Sequence, residues 1–180
     1  MFQERGLFPS ERMAGLLAAA IVSDTVMFKS PTCTERDKII AERLARIAGV
    51  SLKELGKEIF SSSWESKSIG ELLLSDFKEF HIAGHSLAVA QITSVDTTDL
   101  FDRRMDFLTE MERMAREKSY EMVLMMLTDV LMDGSWLLFV GDEEAIRNAF
   151  SAQPREGAVF LPHVMSRKKQ VVPSLSALWG

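Results

Sequence analysis

A chain of 180 residues has room for one ordinary domain, or for a small domain with a helical appendage. Its 47% hydrophobic and 26% charged residues suit a protein with a buried core, and a net charge of −5 excludes a general nucleic-acid binder, which needs a broad basic surface. The single cysteine, Cys33, rules out an internal disulfide and, with no histidine near it in sequence, reads as a small buried hydrophobe.

The first predicted element is a helix from Ser10, its N-cap, to about Met27. Its run Met13 to Val22 is apolar nearly all round, so it should lie inside a protein with neighbours on several faces. Glu11 and Asp24 bracket that run, which is too short to cross a bilayer. It follows an acidic, proline-containing start without a basic leader, unlike a signal peptide, and a cytoplasmic protein is expected. A second helix opens on Thr34 with a capping-box pattern, Thr34-Glu35-Arg36-Asp37, and runs to Gly49. Ile39, Ile40, Leu44 and Ile47 are its expected apolar stripe. A third begins after Val50, capped by Ser51, with Leu52, Leu55 and Ile59 on one face. The polar stretch Ser61 to Ser66 reads as an interdomain linker.

Beyond it the pattern changes. Ile69 to Leu74 predicts a short helix, Phe77 to Ile82 a strand that turns at Gly84 into a second strand over Leu87 to Ile92, and Thr98 to Lys118 one long helix. Glu121 to Leu131 is apolar enough for a buried central strand, and after a turn at Asp133-Gly134 the run Trp136 to Val140 should pair with it. Glu143 to Phe150 predicts a helix and Ala158 to Leu161 a short strand. A basic turn and an apolar tail close the chain. The fold class is α/β: a mixed sheet flanked by helices, preceded by a purely helical block.

Ser166-Arg167-Lys168-Lys169-Gln170 concentrates positive charge in an otherwise acidic chain, between the apolar anchors Val164-Met165 and Val171-Val172-Pro173. Clustered cations repel, and an anion between them would offset the cost; arginine offers a planar fork for phosphate oxygens and lysine a point charge. A solvated basic stretch would carry the same residues. Asp24 closes the first helix, where a carboxylate opposes the helix dipole, so it is either a metal ligand or a terminal aspartate facing water. Lys29 and Lys78 are ordinary in isolation. His81 and His85 have a spacing that would suit a metal on a helix, yet they straddle the turn at Gly84. Asp129, ending a buried strand, is either functional or a partner for local turn amides.

In order along the chain, Ala14-Gly15-Leu16-Leu17, Ile21-Val22-Ser23-Asp24-Thr25, Phe28-Lys29-Ser30-Pro31-Thr32-Cys33-Thr34 and Ser166-Arg167-Lys168-Lys169-Gln170-Val171-Val172-Pro173 resemble segments of family II inorganic pyrophosphatases, members of the DHH phosphoesterase superfamily. Asp76-Phe77-Lys78-Glu79-Phe80 and Leu127-Thr128-Asp129 sit where that family has similar segments. The resemblance implies a two-lobed enzyme: an N-terminal lobe that holds a pair of manganese or cobalt ions, and a DHH-associated second lobe that closes on diphosphate. It implies Asp24 as a metal ligand, Lys78, Arg167 and Lys168 as substrate-binding residues, and magnesium accompanying the substrate.

The sequence departs from that family at the metal site. The family's His, three residues, Asp, one residue, Asp motif and its Asp-His-His triplet have no counterpart: four positions after His81, His85 and His163 stand His85, Val89 and Arg167. Residues 1–62 are therefore expected to be a helical remnant of the N-terminal catalytic lobe and residues 66–180 the C-terminal substrate-binding lobe. No complete catalytic set is expected in this chain, which should bind diphosphate but be inactive without the missing lobe. A non-catalytic phosphate-binding or dimerisation module, or part of a DHH exopolyphosphatase, are the alternative readings. Neither nucleic acid nor membrane is an expected partner; the apolar first helix predicts self-association, as a homodimer.

Overall fold

The computed structural model describes residues 8–60, 64 and 67–180, and the chain divides into two compact units, Met1–Ser61 and Ser62–Gly180. The linker expected over Ser61 to Ser66 lies, Trp64 apart, outside the described residues.

The first unit holds three helices, α1 (Glu11–Asp24), α2 (Glu35–Ala48) and α3 (Leu52–Phe60). Ser10 caps α1, accepting a hydrogen bond from the Met13 amide. The helix stops at Asp24, short of Met27, because Val26, Met27 and Phe28 take left-handed backbone angles. Its burial is one-sided: Ala14, Ala18 and Val22 are buried, while Met13 and Leu16 are exposed within the unit. Small side chains on the inner face let α2 approach closely. Thr34 and Asp37 form the expected reciprocal capping box of α2, and Gly49 ends it in the left-handed conformation. The buried stripe of α2 is rotated from the expected one: Ala41, Leu44 and Ala45 are inside, Ile39 and Ile47 outside. Cys33 is half-buried, not enclosed; its partial burial pushes the thiol above its ordinary range.

The second unit is built on a five-stranded mixed sheet in the order β1 (Phe77–Ile82), β2 (His85–Ser94), β3 (Met122–Asp129), β4 (Gly134–Val140) and β5 (Ala158–Pro162). Neighbours are antiparallel except β2 and β3, which run parallel and so need a crossover. Two helices supply it, α5 (Thr98–Asp102) and α6 (Arg104–Lys118), where one long helix is expected from the sequence. The break falls at Arg103, whose guanidinium reaches back to the main-chain carbonyls of Trp64 and Lys67. No glycine or proline marks that position.

All eight residues of β3 are buried, which places it at the centre with covered faces on both sides. On one face Ala88, Met125 and Leu127 pack with α4 (Ile69–Leu74), α5 and α6 through Leu72, Leu100 and Phe107. On the other, Val89, Leu124 and Leu137 pack with α7 (Glu143–Phe150) through Ile146 and with the chain's end through Val171 and Leu175. Each fully buried Val, Leu, Ile, Phe or Met side chain among them contributes about 1.5–3 kcal/mol over exposure. The expected basic turn is a π-helical turn, Arg167–Val171, and the apolar tail is a helix, α8 (Val172–Trp179), because Leu175 and Val171 complete the second core. No described helix is long and apolar enough to cross a membrane.

Candidate anion-binding site

The π-helical turn delivers the basic cluster to the edge of the sheet. Ser166 caps it by accepting the Lys169 amide, and the Val171 amide reaches Ser166 O, the five-residue spacing that defines a π turn. Arg167 thereby points inward and is 5% exposed, while Lys168 and Lys169 stay in solvent. Inside, Arg167 Nη1 donates to Asp76 O at 2.7 Å and to Val89 O at 2.8 Å, and Nη2 donates to Asp76 Oδ1 at 2.8 Å. A guanidinium carries five N–H hydrogens. Three are used here; Nε–H and one Nη2 hydrogen have no partner among the described residues.

Lys78 is exposed on β1, two residues after Asp76, and its cross-strand partner is Val89, the residue whose carbonyl Arg167 grips. Lys78 and Val89 therefore stand on one face of the sheet, the face covered by the π turn and α8. Of the three predicted residues, Arg167 grips the carbonyl of Val89, the strand partner of Lys78, and Lys168 follows Arg167 on the solvent side of the turn.

A polar frame that sequence reasoning missed fixes the loop leading into Arg167. Gln91 Nε2 donates to Thr128 Oγ1 at 3.0 Å and to Met165 O at 3.2 Å. The Thr128 hydroxyl then pairs with Ser135 Oγ at 2.9 Å, and Ser135 Oγ donates to Val164 O at 2.6 Å. Gln170 Oε1 accepts the Met165 and Ser166 amides, and its Nε2 donates to His163 O. Asp76 stands two residues before Lys78, and no local pattern marks it. The signal that could have found these residues is their polarity within otherwise apolar strands.

The other candidates separate. Asp129 is buried and fully used: Oδ2 accepts the Thr97 amide and hydroxyl, and Oδ1 the Met132 amide, so it organises turns. His85 donates from Nδ1 to Glu121 at 2.7 Å and stacks on Trp179, while His81 is exposed, so the two do not converge. That hydrogen bond holds the Glu121 carboxyl below its usual range. Asp24 is exposed at the end of α1, in the first unit. Among the described residues no three His, Cys, Asp or Glu side chains converge as metal ligands. Manganese takes about six hard donors, so a lone carboxylate does not fit a two-metal centre.

The profile of the DHHA2 domain matches residues 57–178. The chain belongs to the DHHA2 domain family. Beyond the domain itself, this DHHA2 chain is 40% identical over 182 residues to a manganese-dependent inorganic pyrophosphatase of Methanothrix thermoacetophila, which covers 98% of the chain and 58% of the relative. It is 41% identical over 180 residues to a cobalt-dependent inorganic pyrophosphatase of Clostridium perfringens, covering 98% of the chain and 33% of the relative. A crystal structure described as a family II inorganic pyrophosphatase of Methanococcus jannaschii superposes with a TM-score of 0.82 at 36% identity, over 96% of this chain and 57% of that one. The DHHA2 chain thus spans well under two thirds of these relatives' lengths. The mixed sheet with its flanking helices agrees with the expected fold class.

Proposed function

We propose that this chain is the diphosphate-gripping portion of a family II inorganic pyrophosphatase, and that residues 1–180 do not hydrolyse diphosphate by themselves. One observation carries the reading: Arg167 is held out of water with two N–H hydrogens uncommitted among the described residues, and it grips the carbonyl of Val89, the strand partner of the exposed Lys78, while its neighbour Lys168 is exposed. Two parallel N–H donors match the spacing of two oxygens on one phosphoryl group, and the lysines add point charges. When diphosphate reacts with water to give two phosphates, negative charge grows on the departing phosphate, and fixed cations there lower the barrier.

Residues 1–62 we read as the remnant of a catalytic lobe and residues 66–180 as the substrate-binding lobe of a cytoplasmic enzyme. The printed names of the relatives support manganese or cobalt as the metal. In this proposal Asp24 is one carboxylate ligand, the remaining ligands belong to a lobe this chain does not contain, and magnesium accompanies the substrate. A non-catalytic phosphate-binding module is favoured by one observation, the lack of a three-ligand cluster among the described residues.

Calorimetry and a phosphate-release assay test these readings together. The chain should bind inorganic diphosphate, and Lys168→Ala and Lys78→Ala should each weaken binding about tenfold, the worth of one charge-assisted contact. Phosphate release in manganese should stay at the uncatalysed level. Release near that of a complete relative would overturn the claim of inactivity, and unchanged affinity in both lysine variants would overturn the site. Adding a relative's separately made metal-binding lobe separates enzyme part from module: restored turnover supports the first and continued silence the second.

A further inference from the structure

We propose that Asp76 is a positioning residue for the anion site, acting solely through Arg167. The inference rests on the diphosphate-binding reading above and assigns a task that the cationic residues cannot perform for themselves. A free arginine side chain samples many rotamers, and ordering it on binding would cost affinity. Here two of the three contacts that order it in advance come from one residue in another segment, 91 positions away. Asp76 takes Nη1 with its main-chain oxygen and Nη2 with Oδ1, so the plane of the guanidinium is fixed, not merely its location. The Val89 carbonyl takes the other Nη1 hydrogen.

Two features argue against a plain surface ion pair. The Arg167 side chain is 6% exposed and the Asp76 side chain 51%, so the aspartate is solvated and the arginine is the partner being constrained. Asp76 O also accepts the Gln91 amide at 3.0 Å, and Gln91 in turn holds Met165 O, so Asp76 is tied to the same frame that seats the loop before Arg167. Two of the three guanidinium contacts end on main-chain carbonyls that cannot swing away. An incoming phosphate therefore meets Nε–H and the remaining Nη2 hydrogen, with the inner contacts kept. This distinguishes positioning from a latch in which Asp76 must be displaced.

The test is a double-mutant cycle on the 180-residue chain with inorganic diphosphate as the probe, read by calorimetry. Asp76→Asn keeps an acceptor oxygen and loses the charge; it should weaken binding about tenfold, as expected for a charged hydrogen bond. Arg167→Met should weaken it at least as much, and the double variant should bind no worse than Arg167→Met alone. Wild-type affinity in Asp76→Asn, or losses that simply add, would overturn the inference. The double variant removes both charges and so leaves no buried cation stranded. Should Asp76→Asn not fold, the wild-type chain labelled with 15N-arginine decides. Diphosphate should shift the Arg167 Nε–H resonance and leave the Nη1 resonances in place; Nη1 signals that move equally would overturn positioning. Lys168→Ala separates the two levels of the argument. Affinity lost in Lys168→Ala but retained in Asp76→Asn sinks this inference alone, whereas a wild-type chain that binds no diphosphate sinks the parent reading and this inference with it.

Discussion

Asp129 and Arg167 are the two charged side chains buried among the described residues, and the fold treats them differently. Asp129 has both oxygens satisfied by three donors on neighbouring turns, which spends its capacity on structure. Replacing it by alanine would strand the Thr97 and Met132 amides, and about 3 kcal/mol of stability should be lost in urea unfolding, with the anion site's chemistry untouched. Arg167 keeps donors in reserve. Lys168, exposed and without a structural contact of comparable kind, should show the reverse behaviour: the alanine variant stays within about 0.5 kcal/mol of the parent in stability while its diphosphate affinity falls.

Among the elements, α4 illustrates how a local signal becomes a measurable one. Ser68 and Glu71 form its capping box, and the Ser68 amide and hydroxyl hold the Glu71 carboxyl below the ordinary range. A carboxyl with a depressed folded-state value stabilises above its unfolded value and loses that contribution as pH falls through the folded one. The melting-temperature gap between the parent and Glu71→Gln should therefore be present at neutral pH and close on acidification below the usual carboxylate range. At the head of β4, Gly134 answers to tertiary packing instead. A Cβ there would sit 2.7 Å from the Leu161 carbonyl and 2.6 Å from the Phe160 ring, on the neighbouring β5. Gly134→Ala should cost about 1–3 kcal/mol in urea unfolding by forcing that edge apart. The capping box of α2 and the hairpin turn at Gly84 are legible in the sequence because each depends on residues within a few positions. The break at Arg103 is not, since its guanidinium contacts lie at Trp64 and Lys67.

For the whole molecule, the exposed apolar side chains of the first unit, Met13, Leu16 and Ile39, lead us to expect self-association that grows with concentration. Light scattering that reports a monomer at every concentration would count against it. The order and type of most elements, the mixed sheet and the basic cluster are all readable from the amino-acid sequence. Periodicity, caps and an all-apolar central strand are written in neighbouring residues, and the ordered motifs carry the family resemblance. That Arg167 faces inward while Lys168 faces water, and that Asp76, Val89 and Gln91 hold Arg167 and the loop before it, emerges only from the folded chain. Those roles depend on strand register and on a π turn docked by Val171 and Leu175, contacts between segments far apart in the chain. No local pattern encodes which buried polar group will find which partner; packing the two sheet faces does.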